Sequence, residues 1–382
     1  ADMAARRAVL IEPGHVDGVA NLAQSLHRTG VTGQSVRYGA RARLLAPKDA
    51  RLEFNEATYL LGDGDLGGGW DAYEARLAHL SEVWHQALPG RRWTAGPPPG
   101  SHLLVVAEQG LGDELLFATC FLKLAEILSR GELESVTVEC DPRLDALFRR
   151  SFPRFKTVPR PAKRPVFDSS HGDSAASNTH DIDCHIFAGS LPRLFRRSLS
   201  DFAQPSRLVA NSDRVAYWRD YLKSRAKGPV FALTWRSMSR RDRGDVYYPP
   251  VQALAPILGL RELHFVTLQY DDPEPDLREI EKLFDVEIIR PDGLDPMNDL
   301  NEVAALLMAT DGMVSAYNAA LNLAGILGVP AYTATYGYFW PTLRTKALPW
   351  YPSVTIEMRT GGDDWDTAIQ RLTSRVQADL KA

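Results

Sequence analysis

Residues 16 to about 90 read as helical from their apolar spacing. The pattern changes at Ala95-Gly96-Pro97-Pro98-Pro99-Gly100, a strong break signal. Beyond it, short β-rich runs alternate with helical stretches. His102–Ala107 reads as a buried strand, followed by the turn Glu108-Gln-Gly-Leu-Gly-Asp113. A helix is expected from about Glu114 to Ser129, with Leu115, Leu116, Ala118, Phe121, Leu122 and Ala125 on its inner side. Ser135–Cys140 is the next strand, and Asp141-Pro142 opens a helix with Pro in its first turn. Residues 159–180 read as a polar loop, and Asp181–Ile186 as a short strand. After a connecting helix over Arg214–Arg225, strands begin near 230, 264, 286, 312 and 330. Helices fall at Asn301–Thr310, Asn318–Leu327 and about Asp366–Leu380. The strand starts leave room for a crossover helix each time, which is the mark of an α/β fold with parallel sheets.

The helical stretch carries a weak repeat. A 34-residue offset aligns Ala23 with Ala57, Leu26 with Leu60 and Gly30 with Gly64, while Ser35 and Gly69 stand where an Ala is usual. The spacing resembles tetratricopeptide repeats. It predicts two helical hairpins, acting either as a cap on the α/β body or as a partner-binding array. The domains expected are 1–95, a helical tetratricopeptide-like segment; 96–212, a first Rossmann-like unit; and 213–382, a second.

Length and composition agree with this plan. The chain has 382 residues, 45% hydrophobic and 24% charged, ordinary for a globular protein of two or three domains. Lys+Arg is 44 and Asp+Glu is 48, a net charge of −4 that demotes a generic nucleic-acid binder. Cys120, Cys140 and Cys184 form no CxxC pair, so neither a disulfide framework nor a zinc ribbon is expected. The apolar runs are strand-sized, far from the ~20 residues that span a bilayer. A cytoplasmic location is the expectation.

In open parallel sheets ligands sit at the carboxyl ends of strands, and the candidate chemistry gathers there. Gly110 and Gly112 would let backbone N–H groups approach a ligand, and Asp113 would either cap the helix or accept a proton from an acceptor hydroxyl. Ser315 and Asn318 open a helix whose entrance is kept narrow by Ala319 and Ala320, either a pyrophosphate seat or a capped buried helix. Arg236 and Ser237 follow the strand near 230, with Arg240, Arg241 and Arg243 behind them as further candidate phosphate contacts. Gln269 and Tyr270 end the next strand, where they would meet a base or ribose. Tyr336-Gly-Tyr-Phe-Trp340 would stack a base or sugar, or pack the sheet edge. His171, Asp173, His180, Asp183 and His185 match no standard ligand spacing, and no metal site is expected. No Gly-x-Ser-x-Gly, His-Glu-x-x-His or Walker sequence is present.

Several segments, in order, resemble a known family. Glu108-Gln-Gly-Leu-Gly-Asp-Glu-Leu-Leu-Phe117 is similar to the EQGLGDxxxF segment of bacterial tetratricopeptide-repeat glycosyltransferases, relatives of the lipopolysaccharide heptosyltransferases. Gly67–Arg76 resembles the helix before their catalytic part, and Val314–Gly328 their ISxxTAxAHLAGALG helix. Trp350–Ser353 and Asp364–Asp366 resemble their closing motifs. The resemblance implies two Rossmann-like domains facing across a cleft, the GT-B architecture. It implies Asp113 as catalytic base and the region of Ser315 and Asn318 as the diphosphate seat, with no metal and no cofactor. Tyr317, Asn318 and Asn322 stand where those relatives carry Asp-Thr and then His, so ADP-heptose is not carried over as the donor. The resulting expectation is a glycosyltransferase using a nucleotide sugar, with a protein acceptor such as flagellin, or a surface glycan, recruited by the helical segment. The alternatives are a non-catalytic interaction protein and a nucleotide-sugar epimerase.

Overall fold

The helical stretch folds as five helices, each packed on the next: α1 (Asp2–Ile11), α2 (Val16–Arg28), α3 (Thr32–Leu45), α4 (Ala50–Asp63) and α5 (Leu66–Tyr73). This computed structural model describes residues 2–79, 88–96, 99–160, 182–204, 207–237, 247–359 and 363–381. The 34-residue spacing has a structural counterpart. Helices α2 and α4 begin at 16 and 50, α3 and α5 at 32 and 66. Gly30 and Gly64 each close a helix in the left-handed region, at φ 78° and 89°, where glycine carries no Cβ penalty. Ala23 and Ala57 are both fully buried. At Gly69 a Cβ would lie 2.7 Å from Leu61, so the close approach of α5 to α4 excludes any side chain. A 3-10 helix, Glu74–His79, continues from α5.

The chain divides into two compact units. The first comprises residues 1–206 together with 339–344. Its sheet contains β1 (Arg91–Arg92), β2 (Ser101–Val106), β3 (Leu133–Cys140), β4 (Lys156–Pro159) and β5 (Cys184–Phe187). Every pairing is parallel and the order is β1-β5-β2-β3-β4. Helices α6 (Leu111–Ala118), α7 (Phe121–Ser129), α8 (Asp145–Ser151) and α9 (Leu191–Phe195) complete it. Leu77 of the 3-10 helix is buried with Leu104, Val106 and Phe187 of the sheet, so the helical segment shares a core with this α/β unit.

The second unit holds α10 (Ser212–Lys223), β6 (Val230–Thr234), α11 (Ala255–Leu258), β7 (His264–Thr267), α12 (Glu274–Phe284), β8 (Ile288–Ile289), α13 (Leu300–Ala309), β9 (Gly312–Ser315), α14 (Ala319–Leu327), β10 (Ala331–Tyr336), β11 (Val354–Arg359) and α15 (Trp365–Asp379). Its six strands are parallel in the order β11-β10-β9-β6-β7-β8. Counted within the unit this is 6-5-4-1-2-3, the doubly wound Rossmann order, with its switch point between β6 and β9. One face is closed by a core including Phe231, Leu233, Ile257, Phe265, Leu277, Ile369 and Leu372.

The structure differs from the sequence expectations in several elements. The helix expected over 114–129 is two helices, broken at Thr119-Cys120. There the Thr119 carbonyl accepts from the buried Arg196 guanidinium at 2.9 Å, and the Thr119 hydroxyl bonds the Leu116 carbonyl. α1, β4 and β11 were not expected. β4 and β11 are edge strands; no residue of β4 is buried, and of β11 only Val354 and Ile356 are, so both carry a weak apolar signal. Among the described residues no helix is long and apolar enough to cross a membrane.

Candidate active site

In the first unit the sheet order reverses at β2, between β5 and β3, and the turn leaving β2 is Glu108–Asp113. Glu108 is buried and its carboxylate takes a two-pronged bond from Arg76, Nε to Oε2 at 2.8 Å and Nη2 to Oε1 at 2.6 Å. The Gly189 N–H, just past β5, donates to the same carboxylate at 2.7 Å. A Cβ on Gly189 would lie 2.8 Å from Glu108 Oε1 and 3.0 Å from Arg76 Nη2, so this junction requires glycine. Arg76 also bonds Glu74 at 2.9 Å and Ser190 Oγ at 3.0 Å.

Asp113 is the third residue of α6, not its cap; Gly110 holds the cap position. The carboxylate reaches back to accept from the Gly110 N–H at 3.1 Å. Asp113 is half-buried. Burial, and then the negative charge of Glu108, hold its carboxyl above the usual carboxylate range. No described cation offsets that shift. Beside it, Glu114 is buried, accepts from the Asp141 N–H at 2.8 Å and meets Arg160 at 3.0 Å. Burial outweighs that attraction and pushes Glu114 up to about 7. Neither Glu108 nor Glu114 was singled out from the sequence. A buried acid in an apolar stretch was the available signal.

In the second unit the switch point brings together Arg236, Gln269, Ser315 and Asn318. Their side chains are largely bonded to one another and to their own strands. Ser315 Oγ lies 2.6 Å from Thr234 Oγ1 and 2.7 Å from the Ala316 carbonyl. Asn318 Oδ1 accepts from Leu321 N–H at 3.1 Å as the N-cap of α14, and its Nδ2 donates to Thr234 Oγ1 at 3.1 Å. This leaves the backbone N–H groups of Ala319 and Ala320 as the open donors of the helix. Asn322 is buried one turn on. Its Nδ2 donates to the Asn318 carbonyl at 3.0 Å, and its Oδ1 has no partner among the described residues.

Arg236 is enclosed by acids. Its Nε donates to Asp271 at 2.7 Å, Nη2 to the Asp272 carbonyl at 3.1 Å, and Nη1 pairs with Asp276. Gln269 is buried, takes the Trp235 N–H at 3.0 Å and donates to Asp271 at 2.8 Å. Ser237, Tyr270 and Tyr317 are half-buried. Arg240, Arg241 and Arg243 lie outside the described residues. In the Tyr336–Trp340 stretch, Tyr336 packs edge-on to Tyr247 at 5.5 Å with Arg359 over its ring. Trp340 serves the first unit, against Trp70 at 5.7 Å and Tyr73 at 5.9 Å. Of the possible metal ligands, His171, Asp173 and His180 lie outside the described residues. Asp183 accepts from His102 N–H and His185 Nδ1 meets the Pro89 carbonyl.

The fold is similar to that of a heptosyltransferase-type glycosyltransferase. E. coli ADP-heptose LPS heptosyltransferase II superposes with a TM-score of 0.50 at 12% identity, over 73% of this chain and 97% of that one. A glycosyl transferase family 9 structure from Veillonella parvula gives 0.47 at 10% identity, over 69% and 88%. Among curated proteins, Protein FlbA of Caulobacter vibrioides is 32% identical over 338 residues, 87% of this chain and 56% of FlbA. The chain thus spans little more than half of that relative. No family model matches.

Proposed function

We propose that this protein transfers a sugar from a nucleotide-linked donor to a hydroxyl of a protein or surface-glycan acceptor. One observation carries the reading: a half-buried carboxyl, Asp113, raised above its usual range and unpaired by any described cation, at the switch point of a parallel sheet. A carboxylate so raised is a stronger base near neutral pH. In this reading Asp113 takes the proton of the acceptor hydroxyl as its oxygen bonds the anomeric carbon, and the bond from that carbon to the diphosphate breaks. The N–H groups of Ala319 and Ala320, at the positive end of the α14 dipole, receive the leaving diphosphate, and no metal is required. Gly110, Gly112, Ser237, Gln269, Tyr270, Tyr317 and Asn322 line the two seats, and the helical segment engages the acceptor. Asp113→Asn is expected to lower kcat by roughly 10²–10⁴-fold with donor affinity kept. Full transfer by that variant would overturn the base assignment.

A second reading has its own support. Arg236, Ser315 and Asn318 are held by internal bonds, and the acids around Arg236 absorb its charge. That arrangement suits a non-catalytic interaction protein that keeps the fold. Calorimetry with a panel of nucleoside diphosphates separates the two. Binding that weakens in Asn318→Ala supports the transferase, and no heat with any nucleotide supports the scaffold.

A further inference from the structure

Gln109, between Glu108 and Gly110, sits in the left-handed region at φ 59°. A non-glycine residue there is held against a backbone penalty and persists only where its surroundings over-determine it. Neighbouring side chains supply the holding groups. Gln109 Nε2 donates to the Tyr73 hydroxyl at 3.1 Å. The Gln109 carbonyl accepts from Arg160 at 3.0 Å. On its amino side Glu108 is gripped by the Arg76 fork and Gly189. On its carboxyl side the Gly110 N–H is the donor that Asp113 accepts from. Tyr73 and Arg76 belong to α5 and the 3-10 helix after it. The Arg76 guanidinium lies 4.7 Å over the Tyr73 ring, so the two are one assembly.

We propose that Tyr73 and Arg76 of the helical segment are positioning residues for Asp113, holding the Glu108–Gly110 backbone in the left-handed turn that orients its carboxylate. The inference rests on the base assignment above and deepens it: the helical segment is part of the reactive apparatus and is not a detachable recruiting arm. Trp70 and Trp340 pack against the Tyr73 ring, at 5.4 and 5.9 Å. The hydroxyl is therefore aimed at Gln109 by packing.

The test reads Asp113 directly and needs no substrate. The protein is labelled with ¹³C at aspartate carboxyls, and the Asp113 signal is identified by its loss in Asp113→Asn. Tyr73→Phe removes one hydroxyl and keeps the ring. Gln109→Ala removes the side-chain bond at an exposed position and keeps the backbone penalty, so the turn loses its hold. Arg76→Lys keeps the charge and loses the fork. In all three the Asp113 titration midpoint is expected to move toward the ordinary carboxylate value as the turn loosens and water enters. The Gly110 amide, which reports the bond to Asp113, is expected to shift with it. Tyr73→Phe in a Gln109→Ala background is expected to add nothing, because the two act through one bond. Where transfer is measured, kcat falls on the order of tenfold with the donor KM unchanged. Unchanged Asp113 titration and Gly110 shift in Tyr73→Phe and Gln109→Ala would overturn the proposal. Retained transfer by Asp113→Asn would overturn the base assignment alone and leave the titration result standing.

Discussion

Three buried or half-buried groups, Asp113, Glu114 and His27, have their ionisation shifted by burial. In the role proposed for it, Asp113 must lose its proton before it takes one from the acceptor, and burial raises the pH at which it does so. The acid limb of kcat/KM is therefore expected above the ordinary carboxylate range of about 4, and is expected to vanish in Asp113→Asn. Glu114 acts on stability. Its folded pKa is pushed up to about 7 from 4.5, so between those values the folded state holds a proton that the unfolded state lacks. Its contribution is present below the unfolded value and is lost as pH rises through 7, at most on the order of 3 kcal/mol. Glu114→Gln, which can still accept from the Asp141 N–H, is expected to gain stability relative to the wild type as pH is raised from about 5 to 8. Urea melts at both pH values check it; an unchanged difference would show that Arg160 neutralises the charge. His27 works in the opposite direction. It is buried against Tyr59 and burial lowers its pKa to about 4 from 6.5, so it costs stability as pH falls through that window.

At the scale of elements, two junctions depend on one residue each. Gly189 lets β5 end within reach of Glu108, and a methyl group there would displace the Arg76–Glu108 fork. Gly189→Ala is expected to destabilise by about 3 kcal/mol or more, because a buried charge is left mispaired. A denaturant midpoint equal to wild type would refute this. Asn318 caps α14 and ties it to β6 through Thr234. Asn318→Ala is expected to cost about 1–2 kcal/mol, measured the same way. Much of this was legible in advance. The Asp113 turn, the Asn318 helix entrance and the alternation of strands with helices rest on local residue type and spacing. The break at Thr119 was not, because the Arg196 guanidinium that donates to the Thr119 carbonyl lies 77 positions away in sequence.

At the scale of the whole molecule the chain folds as two units, and its connectivity does not follow them simply. Residues 339–344 lie in the second half of the sequence but belong to the first unit, where Trp340 packs on Trp70 and Tyr73 and Arg344 donates to the Asp63 carbonyl at 3.0 Å. Calorimetry is expected to resolve two transitions. Trp340→Ala is expected to lower only that of the unit holding the helical segment, by an amount equivalent to about 2–3 kcal/mol for a half-buried aromatic. An equal shift of both transitions would place the segment otherwise.

Apolar periodicity and turn residues alone determined that this chain builds helices first and then two series of parallel strands, because these signals act over a few residues. The 34-residue spacing of the helices and the Gly110–Asp113 turn were written at that range. Partner choice among polar groups was decided only in three dimensions. Arg236 reads as a phosphate clamp along the chain, yet Asp271 and Asp276 reach it first. Glu108 reads as part of a loop motif, yet it is the seat of an arginine 32 positions upstream. A charge takes whichever partner the fold brings within hydrogen-bond distance, and that is a property of packing, which no local pattern records.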